Sequence, residues 1–363
     1  MKATRILRRP RVLIVGCGDV GLRCAQALLA RPAPPRVIAL TMRAERAAQL
    51  RAHGLTPIVG DLDAPRSLRR LAGLARTVLH LAPPPSTGAD DPRTQALIAM
   101  LGTHTRYRAA RAASPRPRRL DQPSFVASSG GPAVRRFSRG LGASKNRRIV
   151  TEGMSAAEAF PRARLVYAST TGVYGDCAGA LIDETRPARP ANARAKRRVA
   201  AERRLRQANR RGTTAASIVR IPGIYARDRL PLARIKQGKP ALVDEDDVYT
   251  NHIHADDLAA IMVRAATRGR IGRVVHASDE TVLKMGAYFD RVADAFGLPR
   301  VPRITREAAE QTLEPMVLSF MRESRRLSNR RLERELKVTL RYPSVDDFLR
   351  GLGPDAPAAP DVI

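Results

Sequence analysis

Tryptophan is absent from this 363-residue chain, and tyrosine and phenylalanine contribute only seven residues each. Lysine is also scarce, since seven of the 65 basic residues are lysines and the rest are arginines. The net charge of +31 would suit a nucleic-acid partner. However, the arginines are spread over the whole chain, and aromatic side chains for base stacking are few. We therefore expect a compositional bias rather than specific nucleic-acid binding.

Cysteine is rare as well, and the three cysteines have the spacing neither of metal ligands nor of a disulfide framework; they are Cys17, Cys24 and Cys177. No apolar run is long enough to cross a bilayer. The basic N-terminus, 1–11, precedes an apolar run that is too short for a secretion signal. These absences predict a cytoplasmic protein that has no membrane partner.

The clearest motif is a glycine-rich turn between a predicted strand and a predicted helix. An apolar run over 12–15 predicts the buried strand, and an amphipathic segment over 20–29 predicts the helix. Gly16, Gly18 and Gly21 lie between them with the spacing G-x-G-x-x-G. In such turns the glycines permit a tight turn, the approach of a pyrophosphate and close helix packing, and the helix N-terminus faces the anion. We therefore predict that a dinucleotide is bound by Gly16, Cys17, Gly18, Asp19, Val20 and Gly21.

The end of the next predicted strand, over 36–43, favours NADP. A site selective for NAD carries Asp or Glu here to bind the ribose 2′-hydroxyl. This chain has Thr41 and Met42 instead, followed by Arg43. Because a guanidinium binds phosphate through two hydrogen bonds, we predict that Arg43 binds the 2′-phosphate of NADP. NAD is the alternative cofactor.

Predicted strands and helices alternate through the first hundred residues. Helices are predicted over 44–53, 67–74 and 90–101, and strands over 56–62 and 77–82. This alternation predicts an α/β fold of the Rossmann type, a doubly wound parallel sheet with helices on both faces. Ligands bind beyond the carboxyl ends of the strands in such sheets. Four more cofactor-binding residues are predicted at that edge: Asp61, Leu62, Ala82 and Pro83.

Residues 103–163 interrupt the alternation. The segment is rich in arginine, serine, proline and glycine and has little periodicity, so we expect a basic, mobile surface insertion. Two roles for it stay open, an active-site flap and a patch for an acidic partner. Beyond it, strands are predicted over 164–170 and 216–221, with a long basic helix over 193–211 between them.

Five segments of the chain, taken together and in their order, resemble a known family; they are 16–21, 60–62, 169–175, 220–225 and 251–259. The family is the extended short-chain dehydrogenase/reductases, also called the NAD(P)-dependent epimerase/dehydratase family. The resemblance covers most of the chain apart from 103–163 and the termini. It implies a dinucleotide-binding domain formed by 1–102 and 164–225. It also implies a smaller C-terminal α/β substrate lobe over 226–352, from which 251–278 return to the Rossmann core, and a loose tail over 353–363. A small-molecule substrate similar to a sugar nucleotide and a homodimer through the helix around 194–211 are compatible with the same resemblance.

The resemblance also implies hydride transfer at a carbinol or carbonyl carbon. In this family a Ser or Thr holds the substrate oxygen, a Tyr exchanges its proton, and a Lys four residues later lowers the pKa of the Tyr and binds the nicotinamide ribose. By position, Thr170 matches the hydroxyl residue and Lys196 the lysine. Asn192 stands at the tyrosine position, and an amide cannot act as a general acid or base.

Asn192 leaves three hypotheses open. Another residue replaces the tyrosine, with Tyr174 and Tyr225 the nearest candidates in the sequence. Alternatively, the chain resembles the atypical branch of the family, which often lacks the tyrosine. In the third case the protein binds NADP(H) as a regulator without turnover. We favour an oxidoreductase or epimerase/dehydratase-like enzyme of the atypical branch.

Two further clusters are expected to be structural. His252 and His254 alternate on a strand before a helix capped by Asp256 or Asp257, so we expect no metal site. Arg325 or Arg326 is a candidate for binding an anionic substrate, although we favour the alternative that both are solvated arginines at the start of a helix.

Overall fold

A computed structural model of the protein describes residues 9–113 and 162–352. The predicted insertion over 103–163 therefore lies largely outside the described residues, as do the first eight residues and the tail over 353–363. Within the described part of the chain, no helix is both long enough and apolar enough to cross a membrane.

A sheet of seven parallel strands forms the centre of the fold. In chain order the strands are β1 (Arg11–Val15), β2 (Arg36–Thr41), β3 (Thr56–Val59), β4 (Thr77–His80), β5 (Ala163–Thr170), β6 (Thr214–Ile221) and β7 (Val274–His276). Their order across the sheet is β7–β6–β5–β4–β1–β2–β3. This arrangement confirms the predicted Rossmann-type parallel sheet.

Ten α-helices accompany the sheet in the part of the chain that the structure describes, and helices pack on both of its faces. They are α1 (Asp19–Leu29), α2 (Arg46–Ala52), α3 (Pro92–Ala113), α4 (Ala193–Arg210), α5 (Leu232–Lys236), α6 (Ala255–Arg268), α7 (Met285–Ala295), α8 (Arg306–Thr312), α9 (Pro315–Phe320) and α10 (Val345–Arg350). Along β1, Ile14 packs with Cys24 of α1 and Ile261 of α6, whereas Leu13 packs in a second core with Leu205 of α4. Because both faces of β1 are buried, the strand is a continuous apolar run rather than an alternating one.

Short elements complete the C-terminal part of the chain. Four pairs of two- or three-residue strands join Leu181–Ile182 to Arg326–Leu327, Gly223–Tyr225 to His252–His254, Ala241–Leu242 to Arg303–Ile304, and Tyr249–Thr250 to Leu283–Lys284. Turns of 3₁₀-helix cover Pro65–Leu71, Thr171–Tyr174 and Arg227–Arg229, and a π-helical turn covers Leu332–Leu336. A separate apolar cluster joins Tyr288 and Phe289 of α7 to Phe348 of α10.

Several predicted boundaries differ from the structure. The helix predicted over 67–74 is the 3₁₀-helix Pro65–Leu71, which begins with a proline. The helix predicted over 90–101 is α3, which continues to Ala113 because the arginines and alanines beyond Leu101 are good helix formers. Helix α6 is capped by the side chain of His254 rather than by Asp256 or Asp257, since the His254 ring accepts from the Asp256 backbone N–H.

Candidate functional site

The glycine turn after β1 has the geometry of a dinucleotide cradle. Gly16 has a φ of +88°, and a Cβ added there would lie 2.4 Å from the Ala82 backbone nitrogen, so only glycine fits. A Cβ on Gly21 would lie 2.8 Å from the Gly16 carbonyl oxygen, which explains the close packing of α1 on the turn. A Cβ on Gly18, in contrast, meets nothing within 4 Å. The backbone at Gly18 therefore faces open space at the N-terminus of α1, which no side chain caps, and a helix N-terminus of this kind attracts anions.

Charged side chains surround the start of α1. The Asp19 carboxylate, in the first turn, accepts a hydrogen bond from Arg23 Nε at 2.9 Å and pairs with Arg229 Nε at 2.9 Å. Arg23 also pairs with Asp256 at 2.5 Å. The arginines thus compensate an acid that would otherwise repel a bound phosphate. Val20, beside Asp19, is half-buried and packs against the core.

Two arginines, Arg43 and Arg46, follow β2. Thr41 is buried and its hydroxyl accepts from the Arg43 backbone N–H at 3.2 Å, while the Arg43 side chain is exposed. Burial raises the pKa of Cys17 to about 11, and the charge of nearby Arg46 opposes that rise. Arg46 therefore lies close to the glycine turn.

The remaining predicted cofactor-binding residues lie at the carboxyl edge of the sheet. The Asp61 carboxylate accepts from the Asp63 backbone N–H at 2.9 Å, and Leu62 is buried. The Ala82 N–H donates to the Val15 carbonyl at 2.9 Å, which joins the end of β4 to the end of β1. Pro83 follows, and its carbonyl accepts from Arg93 at 3.2 Å.

A cleft of about 430 Å³ opens at the same edge, beyond the end of β5. Its lining mixes hydroxyl, amide and charged side chains with aromatic rings; the residues are Thr170, Thr171, Gly172, Asn192, Arg194, Arg198, Pro222, Gly223, Tyr249, Thr250, Asn251, His252, Met285, Tyr288, Phe289, Ser319, Glu323 and Arg325. A mostly formed cleft with a few convergent polar groups is the usual form of a small-molecule site.

Thr170 and Asn192, two of the predicted catalytic residues, meet in this cleft. Thr170 ends β5, and its hydroxyl accepts from the Gly172 N–H at 3.3 Å. Asn192 caps α4, because its Oδ1 accepts from the Ala195 N–H at 2.9 Å. The other end of the amide, Nδ2, donates to Glu323 Oε1 at 3.2 Å.

Helix α4 places Lys196 and Arg198 on different sides. Lys196 is exposed and is not among the described residues that line the cleft. Arg198 lines the cleft and donates to the Ala168 carbonyl at 2.6 Å and to the Tyr167 hydroxyl at 3.2 Å. A two-residue step rotates a side chain by about 200° around a helix, so Lys196 and Arg198 cannot share a face.

The two tyrosines proposed as substitutes lie in the interior rather than in the cleft lining that the structure describes. Tyr174 is buried, and its hydroxyl donates to His276 Nε2 at 2.5 Å because His276 Nδ1 donates to the Ser328 carbonyl. Burial raises the pKa of Tyr174 to about 12. Burial also raises the pKa of Tyr225, whose ring packs against Phe348. Neither phenol is placed to exchange a proton with a ligand in the cleft.

His252 belongs to the cleft wall, whereas His254 packs elsewhere. The His252 ring stacks on Tyr288 at 4.2 Å, and its Nδ1 is buried without a hydrogen-bond partner. Burial lowers the pKa of His252 to about 4, so its imidazole is neutral at pH 7. The His254 ring packs on Tyr342 at 4.3 Å. Among the described residues no group of three His, Cys, Asp or Glu could hold a metal ion.

Three residues of the site escaped the sequence analysis as functional candidates: Arg46, Arg198 and Glu323. Arg46 carries a usable signal, since it lies three residues after the predicted ligand Arg43. Arg198 carries none, because the motif names position 196 and residues two apart on a helix do not share a face. Glu323 carries none, because it meets Asn192 across 131 residues of chain. Arg325, in contrast, was a candidate for binding an anion, and it lines the cleft with its guanidinium on Glu323.

Comparisons with known proteins identify a family and a reductase with a similar sequence. The model of the NAD dependent epimerase/dehydratase family matches residues 12–277. A 2′-dehydrokanamycin reductase of Streptomyces kanamyceticus is 29% identical over 164 residues, which are 42% of this chain and 47% of the reductase, about half its length.

Solved structures share the fold over most of the chain. A conserved protein of unknown function from Silicibacter pomeroyi is 25% identical with a TM-score of 0.66, covering 94% of this chain and 98% of that one. The UDP-glucose 4-epimerase of Thermotoga maritima, solved with UDP-glucose, is 13% identical with a TM-score of 0.63, covering 94% and 96%. The dTDP-glucose 4,6-dehydratase of Bacillus anthracis, solved with NAD, is 12% identical with a TM-score of 0.64, covering 94% of each chain. The family model spans the glycine turn, Thr170 and all seven strands of the central sheet. The chain therefore belongs to the NAD dependent epimerase/dehydratase family.

Proposed function

We propose that the protein is an NADP(H)-dependent oxidoreductase that acts at a carbinol or carbonyl carbon of a small molecule. The glycine turn would hold the pyrophosphate, and the bound dinucleotide would supply hydride chemistry at the carboxyl end of β5. Thr170 would hold the substrate oxygen in the cleft. The observation that carries the proposal is the open space at Gly18, which lies between two glycines whose own Cβ positions are blocked.

The preference for NADP rests on the residues after β2. Thr41, Met42 and Arg43 offer no carboxylate for a ribose 2′-hydroxyl, and Arg43 and Arg46 offer two guanidinium groups for a phosphate. We expect the double variant R43A/R46A to lose most of the NADPH affinity while its NADH affinity changes little. Arg51, an exposed arginine on the same helix, provides the matched control R51A. Equal affinity of the wild type for NADPH and NADH would contradict the assignment.

Arg198 would take the position near the nicotinamide ribose that the family gives to lysine. Its guanidinium is anchored to the Ala168 carbonyl two residues before Thr170, whereas Lys196 is exposed. An arginine keeps the positive charge that the family's lysine supplies at this point.

The test of turnover uses NADPH deuterated at nicotinamide C4 and a panel of aldehydes, ketones and sugar nucleotides. Mass spectrometry should detect deuterium on the carbinol carbon of at least one product. Saturable NADPH binding with no deuterium transfer would instead indicate the regulatory binder that Asn192 left open.

A further inference from the structure

Glu323 lies in the cleft beside the space where a substrate oxygen would be held. A Cβ built on Gly172 would lie 3.7 Å from Thr170 Oγ1 and 3.9 Å from Glu323 Oε2. Because Gly172 has no side chain, the Thr170 hydroxyl and the Glu323 carboxylate both border the space in front of its Cα. A substrate oxygen placed between them can contact both groups.

Asn192 fixes the orientation of this carboxylate. The Oδ1 of Asn192 is engaged by the Ala195 N–H, so its Nδ2 is the end that donates to Glu323 Oε1. The residue that replaces the family's tyrosine therefore brings a carboxylate to the site, although its own amide cannot transfer a proton.

Arg325 holds the other oxygen of the same carboxylate. Both of its terminal nitrogens lie 3.0 Å from Glu323 Oε2, and Nη1 also donates to the Gly175 carbonyl at 2.7 Å. The side chains of Glu323 and Arg325 are each only 11% exposed. A carboxylate accepts about four hydrogen bonds, so three donated bonds leave room for a substrate hydroxyl.

We propose that Glu323 is the proton-transferring residue of this site and that Asn192 is its positioning residue. The inference rests on the proposed function. In the oxidative direction Glu323 removes the proton from a secondary alcohol held by Thr170, so the O–H bond breaks and the C=O bond forms. The carbinol hydrogen would leave with the C–H electron pair as hydride, for which a bound oxidised dinucleotide would supply the acceptor. The proton then leaves Glu323 for water in the cleft, and reduction reverses each step.

The other charged and titratable groups of the described cleft lining fit this role less well. They are Arg194, Arg198, Arg325, Tyr249, Tyr288 and His252, and Glu323 is the single carboxylate among these residues. Burial raises the pKa of Tyr288 and lowers the pKa of His252, so both rings stay neutral at pH 7. His252 is the strongest rival, since a neutral imidazole can accept a proton.

The experiment measures deuterium transfer from C4-deuterated NADPH to the panel compounds by wild type, Glu323→Gln, Glu323→Asp and His252→Asn. We expect Glu323→Gln to lower kcat by about 10²–10⁴-fold while the Kd for NADPH stays within about twofold of wild type. Glu323→Asp should recover part of the rate, which a merely structural role would not predict. Glu333→Gln changes an exposed glutamate and should transfer deuterium like wild type.

Two variants of Asn192 test the positioning role. Asn192→Ser keeps an N-cap for α4 but removes the Nδ2 donor, so kcat should fall about tenfold while the unfolding midpoint is unchanged. Asn192→Asp also caps the helix but sets a second carboxylate against Glu323, so its kcat should fall further.

Each outcome decides the assignment. Transfer by Glu323→Gln within about threefold of wild type would overturn the role of Glu323 and leave the proposed function standing. A loss in His252→Asn alone would overturn it in favour of the histidine. A wild type that binds NADPH and transfers no deuterium contradicts the proposed function itself, and with it this proton transfer.

Discussion

Gly16 and Gly18 lie two residues apart but meet different surroundings. Gly16 has a positive φ and backbone atoms of Ala82 against its Cβ position, whereas Gly18 has a φ of −82° and open space. The fold therefore requires glycine at position 16 but not at position 18, where we propose that the ligand requires it. Sequence spacing alone cannot separate these two reasons.

This difference predicts that the same substitution, glycine to alanine, lowers the stability of the protein far more at position 16 than at position 18. Gly16→Ala should lower the free energy of unfolding by at least about 2 kcal/mol, because it adds both backbone strain and a clash. Gly18→Ala should change it by less than about 0.5 kcal/mol. Urea unfolding of the two variants and wild type measures both values. Equal stability of the two variants would contradict the assigned geometry.

A site residue could be predicted from the sequence where its role depends on neighbouring residues of the chain, and not where it depends on contacts with distant ones. The glycine turn could be predicted because strand, turn and helix are contiguous and their pattern is read along the chain. Asn192 could be noticed because a family motif names its position. Glu323 could not, since its role comes from the pairing of distant segments, which no local pattern records.

Among the secondary-structure elements, helix α4 was predicted from the sequence, but the side chains that it presents to the cleft were not. The family motif predicts a functional lysine at 196, but Arg194 and Arg198 are the residues of this helix that line the cleft beside its N-cap Asn192. Residues four apart share a face of a helix, and residues two apart do not. The helix itself was predicted to within a residue of its ends, while the face that it presents depended on its packing.

A buried ion pair joins α4 to the sheet. Glu202 of α4 is fully buried and receives two hydrogen bonds from Arg220 of β6, at 2.8 and 3.0 Å, and one from Ser169 of β5 at 2.7 Å. Burial alone would raise the pKa of Glu202, but the bonds from Arg220 outweigh it and hold the pKa below its usual range. The Arg220 guanidinium also lies 4.6 Å from the centre of the Tyr174 ring. The tyrosine first proposed for catalysis thus belongs to this structural network.

Glu202→Gln should destabilise the protein strongly. The variant keeps the side-chain shape but leaves the buried Arg220 charge unpaired, and breaking such a pair costs about 3–5 kcal/mol. Arg206→Ala is the matched control, because Arg206 also pairs with Glu202 but its side chain is 35% exposed. The control should cost less than about 1 kcal/mol. Equal unfolding free energies for the two variants in urea would contradict the network.

For the whole molecule, the alternation of strands and helices in the sequence was enough to predict the fold class. The later strands β5, β6 and β7 extend the sheet on the β4 side and complete its seven strands. Residues 103–163 interrupt that alternation in the sequence, although the arginines and alanines up to Ala113 favour the continuation of α3. Two helix boundaries differ most from the prediction. The 3₁₀-helix over 65–71 begins at a proline, and α3 continues through an arginine- and alanine-rich segment that favours a helix.

The net charge of +31 affects any binding experiment on this protein. NADPH is itself an anion, so a basic surface would attract it without a specific site, and that attraction weakens as salt screens it. A variant that keeps every charge but fills the cradle separates the two effects. Gly18→Val is such a variant, because its side chain would occupy the open space at the start of α1.

The most direct measurement is a calorimetric titration of wild type and Gly18→Val with NADPH at about 150 mM ionic strength, where the Debye length is about 8 Å. We expect the wild type to bind one NADPH per chain saturably and Gly18→Val to have a Kd at least about 100-fold weaker, with unchanged unfolding. No saturable heat from the wild type, or the same Kd for both proteins, would contradict this expectation.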